Sequence, residues 1–274
     1  MSNSTPKIEF ENVQKVYPPV KKSGEPVEAI GDLSLALEES EIFSIVGPTG
    51  CGKSTALNMI AGFEYPSAGA LTLDGMPIAN PGPDRAVVFQ HQSLFPWLTA
   101  LDNVTLGVKC RGMPKSEYMA KARELLNAVG LSGFEKSYPY QLSGGMQQRV
   151  QIARALISSP SVLLMDEPFG ALDYQTRLLM QQLLLELWIE FRPTIFFITH
   201  DVTEAVFISD RVGVMTQRPG RLKTVADVPI AKPRTIDTLT DSQFTEIEHR
   251  VLTSVQEEIG TIGLGASNSD RRTT

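Results

Sequence analysis

Ile42-Phe43-Ser44-Ile45-Val46-Gly47-Pro48-Thr49-Gly50-Cys51-Gly52-Lys53-Ser54-Thr55 is a continuous apolar run that leads straight into a glycine-rich turn, followed by a segment of helical composition up to Gly62. Strand, loop and helix in that order open an α/β core. The turn fits the pattern G-x-x-x-x-G-K-[ST] in the strand-to-helix context the pattern requires. Its glycines let the backbone curl so that successive N–H groups point inward, and the following helix presents its positive end. Both features favour phosphate oxygens. Lys53 is suited to neutralise the β- and γ-phosphates of a nucleotide, and Ser54 to offer its hydroxyl to Mg2+. Gly47, Pro48, Thr49, Gly50, Cys51, Gly52, Lys53, Ser54 and Thr55 are therefore candidate phosphate-binding residues. Cys51 reads as a small residue that fits the loop rather than as a nucleophile.

Outward from this loop, Ile8, Phe10, Val13 and Val16 sit among polar neighbours, and Leu33, Leu35 and Leu37 alternate with Ser34 and Ala36. Both stretches read as half-buried antiparallel strands. Pro18, Pro19, Lys21, Lys22, Ser23, Gly24 and Pro26 form a loop between them. Val162 to Met165 and Thr194 to Ile198 have the β-rich composition of strands covered on both faces in a parallel sheet. Arg177 to Phe191 reads as the crossover helix between them. From about His91 to Ser159 the chain is helical, with helices over Lys115 to Val129 and Gln147 to Ser158, an insertion into the sheet domain. Beyond Pro233 a helix from Ser242 to Ile259 carries Phe244, Ile247, Val251 and Val255 at helical spacing, and the polar stretch from Gly265 to Thr274 is expected to be disordered. The expected organisation is a 1–235 domain with the insertion at about 91–159, then a 236–274 C-terminal helix and tail.

The 25 Lys and Arg against 31 Asp and Glu leave a formal net charge of -6, which supplies no global attraction for a polyanionic nucleic acid. Cys51 and Cys110 are the only cysteines, too few for a disulfide framework or a cysteine-based zinc site, so a reducing compartment is expected. Met1 to Lys7 is polar and lacks the apolar core of a secretion signal. Every apolar run is shorter than the about 18 to 20 residues needed to span a bilayer, so any membrane path must come from another chain.

Asp166 and Glu167 follow the buried run Val162 to Met165, at the carboxyl end of a strand, where open α/β sheets bind their ligands. Asp166 suits the magnesium shell, while Glu167 can polarise a water that attacks the γ-phosphate. An acidic turn that merely closes a strand is the alternative. Together with the phosphate loop, the pair indicates a P-loop NTPase.

Leu142-Ser143-Gly144-Gly145-Met146-Gln147-Gln148-Arg149 narrows the class, because it resembles the signature sequence of ABC ATPases and stands just upstream of the acidic strand, as in that family. Met146 replaces the Gln of the commonest version, and the Ser-Gly-Gly element is intact. Ser143, Gly144 and Gly145 precede a helix and can form a second phosphate-binding surface, or a simple N-cap. The resemblance implies that this surface, with Gln147, completes the ATP site of a second ABC ATPase subunit, identical or paralogous, in a head-to-tail dimer. Tyr17 resembles the aromatic residue that stacks on adenine, Gln90 the glutamine that senses Mg2+ and the attacking water, Ala171-Leu172-Asp173 the loop that links the two sites, and His200 the switch histidine at the γ-phosphate.

The resemblance covers about Ile8 to Arg234. It implies an α/β fold with a mainly parallel P-loop NTPase core, an N-terminal antiparallel β part and an inserted helical subdomain. It also implies an ATPase at the cytoplasmic face of the inner membrane, driving transmembrane permease subunits and, through them, served by a solute-binding protein. Leu94 to Val104, Thr199 to Ala205 and Pro219-Gly220-Arg221 are similar to the nitrate, sulfonate and taurine importer group. A non-transport or export ABC ATPase is the alternative; the single cassette, with no sustained heptads and no strongly basic stretch, speaks for transport.

Overall fold

The computed structural model describes residues 5–19, 24–90 and 93–265. Strands β1 (Ile8–Tyr17) and β2 (Val27–Leu37) lead to β3 (Ile42–Val46) and α1 (Lys53–Ala61), then β4 (Ala68–Leu73), β5 (Met76–Pro77) and β6 (Arg85–Val88). Helices α2 (Ala100–Cys110), α3 (Lys115–Ala128) and α4 (Gly144–Leu156) follow without an intervening strand. The chain then runs through β7 (Val162–Asp166), α5 (Tyr174–Phe191), β8 (Thr194–Ile198), α6 (Val202–Ile208), β9 (Arg211–Met215), β10 (Gly220–Asp227) and α7 (Ser242–Gly265).

All ten strands join one sheet in the order β5-β4-β1-β2-β10-β9-β3-β8-β7-β6. From β9 to β6 every neighbouring pair is parallel, while β5, β4, β1 and β2 are antiparallel. β10 joins the halves: it lies antiparallel to β9 and meets β2 in parallel through Gly220 and Arg221 alone. This is the expected α/β architecture.

The central strands β3 and β8 are buried along their whole length because both sheet faces are covered. Successive side chains alternate between two cores. Ile42, Leu163, Met165, Ile195 and Phe197 pack under α2 to α7 on one face, and Phe43, Ile45, Leu164, Phe196 and Ile198 pack against α1 and the antiparallel strands on the other.

Several boundaries differ from the sequence reading. β4, β5, β9, β10 and α6 appear where no element was expected, and α2 adds a helix to the expected helical insertion. Gly213 hides β9, since a glycine weakens the strand signal; here it makes room for the Phe43 ring, whose Cζ would lie 2.8 Å from a Cβ at that position. α4 begins at Gly144 rather than Gln147, because Ser143 accepts a hydrogen bond from Met146 N and starts the helix ahead of its apolar stripe. α5 likewise starts at Tyr174, capped by Asp173 through Thr176 N. Lys21, Lys22 and Ser23 of the proposed loop, His91 at the start of the proposed insertion, Met1 to Ser4 and residues 266–274 of the proposed tail lie outside the described residues.

Candidate nucleotide site

The phosphate loop occupies the carboxyl end of β3. Gly52, at φ 102°, turns the chain into α1, and a Cβ there would lie 2.9 Å from the Ala29 carbonyl oxygen. Thr99, Ser143, Asp173 and Asp201 cap α2, α4, α5 and α6 with their side chains, whereas α1 opens on Gly52 without a side-chain cap. The N-terminal N–H groups of α1 are thereby left for a ligand's oxygens.

The β9–β10 turn braces the loop from outside. A Cβ on Gly220 would lie 1.9 Å from the Cys51 carbonyl oxygen, so the two backbones touch, and Arg218 Nε donates to Gly50 O at 3.3 Å. Lys53 is buried within the loop, its Nζ donating to Gly47 O at 2.8 Å and to Pro48 O at 3.0 Å. Burial holds the Cys51 thiol above its ordinary pKa, with Lys53 pulling the other way, so Cys51 stays a neutral filler.

β7 delivers the two carboxylates to different places. Asp166 lies in register with Ile198 of β8, and Ser54 Oγ donates to Asp166 Oδ1 at 3.4 Å. Burial raises the Asp166 pKa and Glu167 adds to the rise, while Ser54 and Lys53 oppose it. A hydroxyl beside a partly desolvated carboxylate is a hard-oxygen donor set, and Mg2+ takes one or two such protein oxygens plus substrate phosphates. Ser54 and Asp166 therefore fit that ion.

Glu167 turns the opposite way at φ 44°, a left-handed conformation uncommon outside glycine, held by its N–H bond to Ile198 O at 2.9 Å. Its Oε2 lies 3.2 Å from Gln90 Nε2, which donates to it, and 3.1 Å from His200 Nδ1. Gln90 after β6 and His200 after β8 thus converge on one carboxylate oxygen of Glu167 after β7.

These groups line a single cleft of about 530 Å³ with Tyr17, Thr49, Gly50, Gly52, Lys53, Ser54, Thr55, Gln90, Glu167 and His200 on its walls. Val27, Ala29 and Arg218 line it too, and the sequence reading missed them. The Pro219-Gly220 turn beside Arg218 was the only available signal. Tyr17 is partly buried with Lys15 Nζ 4.9 Å from its ring centroid. Gly47, Pro48, Cys51 and Asp166 support the cleft without lining it.

Ser143, Gly144, Gly145 and Gln147 do not line this cleft. Gln147 Nε2 is engaged with Pro139 O at 2.9 Å and Leu142 O at 3.1 Å, holding the approach to α4. Ser143 is exposed, and Gly144 and Gly145 occupy the first turn of α4.

A glycine-rich loop at a strand end, an uncapped helix N-terminus and a braced carboxylate define the class as a P-loop nucleotide hydrolase. The family model described as ABC transporter matches residues 30–170. An ABC transporter ATP-binding protein of Methanocaldococcus jannaschii is 46% identical over 253 residues, 92% of each chain. A taurine import ATP-binding protein of Rhizobium johnstonii is 49% identical over 76% of this chain and 80% of its own, and a nitrate import ATP-binding protein of Synechococcus elongatus is 43% identical over 89% and 90%. The solved dimeric structure of a bacterial ABC transporter cassette superposes with a TM-score of 0.70 at 34% identity, covering 82% of this chain and 100% of that one. A post-hydrolysis dimer of that cassette with ADP and phosphate gives a TM-score of 0.69. This chain belongs to the ABC transporter ATP-binding family, and it is an ATPase.

Proposed function

We propose that this chain is the motor of an importer for a small solute of the nitrate, sulfonate or taurine type, working as one half of a head-to-tail cassette pair docked on membrane-embedded permease subunits. Similarity to the taurine and nitrate import ATP-binding proteins supports the cargo class. Among the described residues no helix is long and apolar enough to cross a membrane, so the path belongs to other chains. The chain then works at the cytoplasmic face of the membrane, and a solute-binding protein delivers cargo to the permease from the other side.

The carrying observation is the single Glu167 oxygen faced by both Gln90 and His200 inside the Lys53 cleft. ATP lies with its adenine at Tyr17 and its phosphates on the α1 N-terminus and Lys53. Ser54 and Asp166, with Gln90 nearby, would hold Mg2+, which would supply positive charge to offset that of the phosphates. Glu167 accepts the proton of the attacking water, His200 orients the γ-phosphate, and Gln90 fixes the carboxylate. The partner's Ser143, Gly144 and Gly145 supply the missing wall.

Phe95 and Trp97, a few residues after Gln90 in the chain, have ring centroids 5.6 Å apart with Trp97 70% exposed, and they form the permease-facing patch of this reading. Glu167→Gln keeps the shape of the side chain and removes the base. ATP binding should persist within about twofold while turnover falls by about a hundredfold or more, read by a binding isotherm and phosphate release; unchanged turnover would remove Glu167 from the chemistry. Co-purification of a multi-span permease from solubilised host membranes tests the transport reading, and soluble partners alone would refute it.

A further inference from the structure

α5 is capped by Asp173, the last residue of the Ala171-Leu172-Asp173 loop, and α6 is capped by Asp201, directly after His200. Two polar rungs tie these helices together. Arg177, one turn into α5, donates through Nη1 to Asp201 Oδ2 at 3.1 Å and through Nη2 to the Leu172 carbonyl at 3.2 Å. One turn further on, Gln181 Nε2 donates to Glu204 Oε1 at 2.9 Å.

The α6 start is an Asp-x-x-Glu cap used in an unusual way. Asp201 Oδ1 accepts from Glu204 N at 3.1 Å, as a cap should. The Glu204 side chain does not return to Asp201 N, which takes Thr199 Oγ1 at 3.0 Å instead. It is buried against Gln181 and Thr199. Thr199 and Asp201, the residues on either side of His200, are thus both fixed by this network, and two of its members come from the helix that carries the Leu172 loop. His200 itself is exposed in the cleft, with Nδ1 on Glu167.

We propose that Arg177 is a positioning residue for hydrolysis: its guanidinium fork locks the Leu172 loop to the backbone that presents His200, so that the two move as one body. The inference rests on the role proposed above for His200. A loop at the start of α5 that responds to a neighbouring subunit would, through Arg177, set the His200 ring against Glu167. Loss of the fork leaves the phosphate loop and Tyr17 untouched, so ATP is held as before but hydrolysed more slowly.

The test is steady-state ATP hydrolysis by the full chain carrying Arg177→Lys, Arg177→Met or Asp201→Asn, with His200→Ala alongside. Lys keeps the charge opposite Asp201 but cannot reach two acceptors with a planar fork, and Asn still caps α6, so both variants retain the fold. Each should lower kcat by about tenfold or more while KM for ATP stays within about twofold. Arg177→Met combined with Asp201→Asn should be no slower than Arg177→Met alone, because the two act as one unit. If Arg177→Lys and Asp201→Asn both keep kcat within about twofold of the native chain while His200→Ala loses turnover, the proposal is overturned and the site reading survives. A rise in KM matching the fall in kcat would overturn it as well, by making Arg177 a binding residue. Full turnover in His200→Ala would instead overturn the site reading on which the proposal stands.

Discussion

Glu204 shows how one buried side chain links the site to stability. Burial raises its pKa above the ordinary carboxylate value, and the bonds from Thr199 and Gln181 only partly offset that rise. The folded state therefore binds a proton more tightly than the unfolded chain does. Between the unfolded and folded pKa values the native state gains from protonation, and that gain is lost as pH rises through the folded value. Glu204→Gln, which keeps the acceptor for Gln181 without the charge, should make the chain at least as stable as the native protein at pH 7, with the advantage shrinking toward pH 4.5. Urea unfolding at several pH values measures this; a variant that loses stability at pH 7 and recovers it in acid would reverse the sign and refute the account. The phosphate loop differs in kind. Its residues are contiguous and their roles follow from backbone geometry, so Gly47 to Thr55 could be recognised along the chain. Arg218, which lies 168 positions from its Gly50 partner, could not.

At the scale of elements, α6 shows why part of the chain beyond the acidic strand was hard to read, whereas α7 was legible. α6 has only seven residues and ends deep inside the protein, where water cannot reach its terminal carbonyls. Arg234 supplies the donors: its buried guanidinium gives hydrogen bonds to Val206 O at 2.7 Å, Phe207 O at 2.9 Å, Ser209 O at 2.9 Å and Ile230 O at 2.7 Å. Burial drives its pKa down to about 10, still well above neutrality, so it remains a cation. α7 was expected from the spacing of Phe244, Ile247, Val251 and Val255, and the first three are buried in the same core as α6 and β9. The helix covers the sheet rather than standing apart from it. Phe244→Ala should therefore destabilise the whole chain by about 3–5 kcal/mol, in the range for emptying a buried aromatic site. The check is a single cooperative urea transition shifted to lower midpoint; an unshifted main transition would make α7 an independent appendage.

For the whole molecule, the decisive fact is that one chain's cleft lacks the Ser143-Gly144-Gly145 surface while its neighbours of known structure are dimeric cassettes. In a head-to-tail pair a Lys53→Ala chain still offers a sound signature surface, and a Ser143→Arg chain still offers a sound phosphate loop. Neither variant should hydrolyse ATP alone, whereas an equimolar mixture should recover a fraction of native turnover from one complete site per mixed pair. Absence of any recovery after subunit exchange would rule out that pairing. The sequence by itself determined the local pieces: the strand-loop-helix at Ile42 to Ala61, the buried strands at Val162 and Thr194, and the apolar stripe of α7, since each is written in consecutive residues whose period and turn chemistry need no distant partner. Only the tertiary structure decided that Gln90 and His200 meet on one oxygen of Glu167, that β10 welds the parallel and antiparallel halves through Gly220 and Arg221, and that Arg177 reaches Asp201. Those contacts depend on the order in which strands are stacked side by side, and strand order is fixed by long-range packing of two cores, which no local pattern encodes.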